Sequence, residues 1–250
     1  MNRLLIAIAM TAILAATAQA DDNVSASQDL LNPLTQAITV PVLFESGTDS
    51  DHNIVSLQPI VPFELNDDWN IITRTIAPIT DSGGEQGIGD ISQSILFSPK
   101  EATDDGWFWG AGPYVQFDTA SHEELSSGGE AVGASAVALK MDGAWMYGAL
   151  VTQAYSANGS MGEEFSVATV QSWVDYTTTD GITYEVMTEA TYDWQQEDWA
   201  VPVAFTVNKY MVVGSQPMII GAGVEHWVKT TDTSLSGTSL NLNLYLLFDN

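Results

Sequence analysis

The chain contains no cysteine, and its 250 residues include only six lysines and arginines against 32 aspartates and glutamates. Without cysteine there is no disulfide scaffold. The three scattered histidines, His52, His122 and His226, supply no ligand spacing for a structural zinc, so neither metal nor cofactor is expected. A formal net charge of −26 argues against a nucleic-acid partner, whose phosphates need Lys and Arg. Long apolar runs are also scarce: past residue 20 no stretch is long enough for a transmembrane helix. Such acidity with few aromatics would describe a disordered chain. Here, however, Trp, Tyr and Phe number eight each, and charged residues make up only 15%. The acids gather in punctuating stretches such as "ESGTDSD", "DSGGEQ" and "SHEELSSGGE", and the segments between them alternate apolar and polar. This is the composition of a folded β protein with acidic loops.

Residues 1–20, "MNRLLIAIAMTAILAATAQA", have one basic residue, Arg3, an apolar run and Ala18-Gln19-Ala20. They read as a secretory signal peptide, with export and a mature chain starting near Asp21. Residues 21–32 are then an N-terminal periplasmic segment, and 33–250 the folded domain.

Twelve runs rich in Val, Ile, Thr, Tyr and Trp follow, separated by Gly/Asp/Ser/Asn clusters, the pattern of successive strands. They cover about 34–44, 53–64, 69–80, 88–98, 107–118, 130–141, 144–156, 164–177, 182–194, 199–209, 217–229 and 238–248. Alternation is clearest at 182–194, where Ile182, Tyr184, Val186, Ala190, Tyr192 and Trp194 oppose Thr183, Glu185, Met187, Glu189, Thr191 and Asp193. Leu240, Leu242, Leu244, Leu246 and Phe248 likewise oppose Asn241, Asn243 and Tyr245.

A repeat runs through these strands. "LNDDWNI", "TDDGWFW" and "KMDGAWMY" each place a tryptophan after an Asp-containing turn, and Trp69, Trp107 and Trp145 fall 38 residues apart. "TTDGITY" continues the series with Tyr184. The interval is one hairpin: two strands, a tight turn and a longer loop. Short turns at one end, long loops at the other and aromatics at strand ends describe an antiparallel, up-and-down transmembrane β-barrel of about twelve strands. Trp69, Trp107, Trp145 and Tyr184 would form the girdle on the short-turn, periplasmic side, with Trp194 and Trp199 at the opposite end. A soluble barrel or sandwich shares the alternation, but not aromatics at both ends of the apolar face. Pro59, Pro62, Pro78, Pro113 and Pro202 fall inside the runs and each removes a ladder donor, so bulges or irregular pairing are expected there.

The blocks "LQPIVPFELNDDWNIITRTIAPI", "GIGDISQSILFSPK", "WFWGAGPYVQFDTA", "AVALKMDGAWMYGALVTQAYS" and "TYDWQQEDWAVPVAFTVNKYMVVGSQPMIIGAGVEHWV" resemble those of a bacterial outer-membrane family. That family is designated MetA-pathway of phenol degradation, "transporter" or, misleadingly, neuromedin U. The resemblance spans about residues 32–248. It implies a Gram-negative outer-membrane barrel with outer-membrane lipids and the barrel-assembly machinery as partners, and it assigns neither substrate nor catalytic residues. One departure concerns the last strand, where Phe248 is followed by Asp249-Asn250 instead of ending the chain.

Enzymatic constellations are absent. Ser121 beside His122 is adjacency in sequence, not a nucleophile held against a base. "GEQGIGD" and "GWFWGAG" lack the βαβ setting of a nucleotide loop. Alternation instead assigns Glu185, Glu189 and Asp193 to the lumen, with Gln116 and Asp118 on another strand. Arg74 is the one basic residue near mid-height. Facing lipid it would cost about 2–4 kcal/mol, so it points inward, where it can pair with lumen carboxylates. These residues form either a polar network filling a narrow barrel or a selectivity constriction. Twelve strands fall between filled eight-stranded and open sixteen-stranded barrels. The sequence therefore points to passive passage of small solutes, aromatic or otherwise hydrophobic ones among them. A non-conducting structural or lipid-contacting barrel is the alternative, and a lipid-modifying enzyme the third.

Overall fold

The computed structural model describes residues 22–48, 52–82, 84–157, 165–231 and 234–248. The expected signal peptide and its Ala18-Gln19-Ala20 site lie outside the described residues. A helix, α1 (22–31), precedes fourteen strands. These are β1 (Ile38–Gly47), β2 (His52–Leu57), β3 (Ile60–Glu64), β4 (Trp69–Ser82), β5 (Glu85–Ile88), β6 (Ile91–Pro99) and β7 (Trp107–Phe117). They continue as β8 (Ala131–Asp142), β9 (Trp145–Ser156), β10 (Ser166–Thr177), β11 (Ile182–Asp193), β12 (Asp198–Val213), β13 (Gln216–Lys229) and β14 (Thr238–Phe248).

Every strand pairing is antiparallel, and apart from β2/β3 and β5/β6 neighbours in the chain pair with each other. β14 pairs back onto β1 from Ile38↔Phe248 to Gly47↔Ser239, which closes the sheet. Both β2 and β3 pair with β4, and β4 pairs with both β5 and β6, so each of these couples forms one wall position. The result is a closed barrel of twelve positions. Pro59 explains the first division, since with Gln58 it interrupts the run expected at 53–64. Pro202 sits at a register shift between β12 and β13. Pro62, Pro78 and Pro113 instead keep their register opposite Ile72, Ser56 and Ala134.

Tight turns mark one end, although β4 and β5, paired up to Ser82↔Glu85, meet at the other. Between Asp142 and Trp145 only two residues intervene, and Gly143 takes φ 58°, as a primed hairpin turn requires of its first central residue. Gly214, between Val213 and Gln216, repeats the device with φ 67°. Register then fixes which residues share the inner face. Leu139, Gly148, Trp173, Met187 and Ala204 stand opposite one another in turn, as do Asp175, Glu185, Thr206, Gly223 and Asn241. Their alternates Val174, Val186, Val203, Phe205, Leu240 and Leu242 form an exposed apolar outer belt.

The first strand begins at Ile38, not near residue 34, because residues 22–37 have another task. Helix α1 places Val24, Ser27, Gln28, Leu30 and Leu31 on a common stripe. It stops where Asn32 Oδ1 accepts from Leu34 N at 2.8 Å and Pro33 cannot continue the ladder. The helix enters the barrel from the tight-turn end. Asn23 Nδ2 donates to Thr179 O (3.3 Å) and Gln28 Nε2 to Gly143 O (3.0 Å), while Ser27 Oγ lies 2.9 Å from Thr183 Oγ1 on the inner face of β11. Leu34 then joins the inward-facing Ile60, Ile72, Leu96, Val137, Leu139, Met146, Leu150 and Trp173 in one apolar core. Residues 22–31, within the stretch 21–32 expected to be a periplasmic segment, thus form a plug in the tight-turn end of the barrel.

Candidate functional site: the barrel lumen

The inner face falls into three zones. At the tight-turn end the apolar core and α1 fill the bore, with Ile72, Leu96, Leu139 and Met146 no more than 1% exposed. Toward the long-loop end a vestibule of about 280 Å³ opens, lined by Glu45, Glu185, Glu189, Glu225, Trp227 and Tyr245 among others. Between them, against Leu30, Leu31 and Pro33 of the plug, lies a cavity of about 100 Å³.

Arg74 lines this middle cavity, inward on β4 at mid-height. Its Nη2 donates to Gln58 Oε1 at 2.9 Å, and Glu189, Tyr245 and Tyr114 are its electrostatic neighbours. The expected ion pair with a lumen carboxylate is not formed among the described residues: Gln58, freed by the β2–β3 break, reaches the guanidinium instead. Glu185 is buried on the inner face, and Glu189, on the same face, borders the vestibule.

Two candidates lie elsewhere. Asp118 follows the end of β7 and is exposed in the loop that begins there. Asp193 Oδ1 accepts from Gln195 N (2.8 Å) and Gln196 N (3.0 Å), so it caps the β11–β12 turn at the rim, because a turn starting there leaves two amides without ladder partners. Sequence reasoning missed Asp175, Glu225 and Glu45. Asp175 was within reach: the hairpin turn at 178–181 sets Asp175 directly opposite Glu185.

Aromatics mark both ends of the outer face. Trp69 packs edge-on against Trp109, Trp107 against Tyr147, and Trp145 is tilted on Tyr176, with Tyr184 exposed beside them at the tight-turn end. At the other end Tyr192 contacts both Trp194 and Trp199.

On the long-loop side Asp90 organises residues 119–129. Oδ1 accepts from Thr119 N and Ala120 N, each at 3.1 Å. Oδ2 accepts from Ser127 N (2.7 Å), Ser126 Oγ (2.8 Å) and Gly129 N (3.2 Å). Burial by itself would push this carboxyl up, but the hydrogen bonds outweigh it and hold Asp90 below the usual carboxylate range. The histidines are dispersed: His52 lies 3.3 Å from Glu45, His122 3.5 Å from Glu85, and His226 3.0 Å from Thr238 Oγ1. Among the described residues no three His, Asp or Glu side chains converge for a metal.

Two solved structures share this architecture. An outer membrane channel from Pseudomonas putida F1 superposes with a TM-score of 0.61 at 15% identity, over 86% of this chain and 97% of that one. The NanC porin gives 0.58 at 15% identity, over 86% of this chain and 100% of its own. One is an outer membrane channel and the other a porin, and the chain has their fold. No protein-family model matches it, and no curated protein matches it in sequence. The resemblance to the MetA-pathway family therefore reaches no further than an outer-membrane barrel.

Proposed function

We propose that the chain is an outer-membrane channel that passes small solutes passively, selects them by bore and by an acidic vestibule, and is held closed by its own N-terminal segment. The apolar outer belt between two aromatic ends suits a bilayer, and aromatics of this kind favour its interfaces. Outer-membrane lipid would contact that belt. The observation that carries the functional reading is the contrast between the zones. The vestibule gathers Glu45, Glu185, Glu189 and Glu225; among the described residues that line it there is no lysine or arginine, and Arg74 is the basic neighbour of Glu189. A lumen of one sign concentrates the opposite ion.

The plug sets how often the route is open. Withdrawing Leu30 and Leu34 from the core exposes two leucines, on the order of 3–6 kcal/mol together. At 1.4 kcal/mol per factor of ten, the closed form outweighs an open one by roughly 10²–10⁴ unless voltage, ligand or lipid favours release. The filled tight-turn half of the bore favours a second reading, a non-conducting structural barrel. Planar-bilayer recording separates the two: brief, rare openings that become sustained when residues 22–36 are deleted support the gated channel. Silence of both forms, each verified as folded, supports the structural barrel.

A further inference from the structure

Asp175 and Glu185 stand opposite each other on β10 and β11, 1% and 7% exposed, and both line the middle cavity. Among the described residues no lysine, arginine or histidine makes an ion pair with either. Asp175 Oδ1, buried, has no hydrogen-bond partner at all. Two adjacent buried carboxylates without an ion-pair partner are costly, and the cavity they face is closed from below by Leu30 and Leu31 of the plug.

We infer that this cavity is a binding site for a small organic ammonium compound. The carboxylates would take the ammonium, and Trp173 and Tyr245 line the same cavity, where aromatic rings add attraction for a cation. The rest of the lining, including Ile60 and Met187, suits a short apolar body. A divalent metal fits less well. It requires about six or more oxygens; beside the two carboxylates the lining has Gln58, Gln171 and Tyr245, with Gln58 Oε1 already taken by Arg74, and among the described residues no third acidic or histidine side chain joins the pair. Arg74 lines the cavity too, held toward Gln58, and opposes a bound cation. The inference rests on the channel reading for the route of entry and names the class of solute that pauses there.

The test is calorimetric titration of the folded full-length mature protein in detergent with isobutylammonium, isobutanol and calcium ion in parallel. Saturable one-site binding of isobutylammonium is expected, about tenfold or more tighter than isobutanol. Asp175→Asn and Glu185→Gln should each weaken it by about tenfold or more, and Arg74→Gln should tighten it. If Asp175→Asn fails to reach the heat-modifiable folded form, Glu185→Gln decides. No saturable heat, equal affinity for the alcohol, or indifference to the carboxylate changes would overturn the site. A calcium isotherm in place of the ammonium one would overturn the ammonium assignment. Binding is read here without current. Binding without conduction therefore refutes the channel and leaves the site, and conduction without binding refutes the site alone.

Discussion

Ser27 Oγ and Thr183 Oγ1 lie 2.9 Å apart, which joins the plug helix to the inner wall of β11. Thr183 Oγ1 also lies 2.9 Å from Thr177 Oγ1, so the three hydroxyls form a chain across α1, β11 and β10. Every member is buried. The contact ties the state of the bore to two atoms and can be replaced by a covalent bond, because the chain has no cysteine to interfere.

Ser27→Cys with Thr183→Cys should therefore form a disulfide that locks the plug. Oxidised, the double variant should show no openings under conditions in which the parent shows rare ones, and a reductant should restore the parental frequency. Unchanged openings in a fully oxidised sample would mean that the plug does not control the route.

The inner and outer faces make opposite predictions for one substitution. Val203 is exposed on the apolar outer belt, and an arginine there costs about 2–4 kcal/mol near mid-plane. Glu189 faces the vestibule, where a basic side chain meets water and other carboxylates. Val203→Arg should sharply lower the refolding yield in lipid vesicles, while Glu189→Arg should leave it near the parental level. Equal yields would invert the assignment of faces.

Single-tryptophan variants retaining Trp107 or Trp145 should be quenched strongly by brominated lipids, and one retaining Trp173 only weakly. The first two are exposed at the outer tight-turn rim, whereas Trp173 is buried on the inner face. Strong quenching of Trp173, or none at the rim, would contradict the placement.

The long-loop side carries a pH dependence. Asp90 is held below the usual carboxylate range in the folded state. Its stabilisation is complete above the ordinary carboxylate pKa and is lost as pH falls through the lower folded value. Residues 119–129 should become protease-sensitive only in that acidic window. Asp90→Asn, which leaves buried amides with a weaker acceptor, should make them sensitive at neutral pH. Equal cleavage of parent and variant at neutral pH would remove Asp90 from this role.

Much of the fold was legible because the barrel writes itself in short periods. A strand alternates every two residues, and the Trp69–Trp107–Trp145 spacing gave the hairpin length, so strand number and facing came from local pattern. The twelve expected runs correspond to the twelve wall positions. What escaped depends on contacts between distant segments. Nothing local tells that Leu34 buries itself among Ile72 and Leu139 with Leu31 packed against them, since a ten-residue amphipathic stretch reads equally well as a periplasmic segment outside the barrel. Asp193 alternates as a lumen residue should, but a turn beginning there needs its carboxylate for two amides. Gln58 became the partner of Arg74 only because Pro59 breaks the strand beside it.

The most direct measurement is the reversal potential of the plug-deleted barrel, lacking residues 22–36, across a salt gradient in a planar bilayer. Glu45, Glu185, Glu189 and Glu225 outweigh Arg74 along the path, so cations should carry most of the current. The preference should shrink at 1 M salt, where the screening length is about 3 Å. Glu185→Gln with Glu189→Gln should move the potential toward zero, and Arg74→Gln away from it. An anion-selective potential, or one that ignores the double glutamine change, would contradict an acidic lumen as the selecting element.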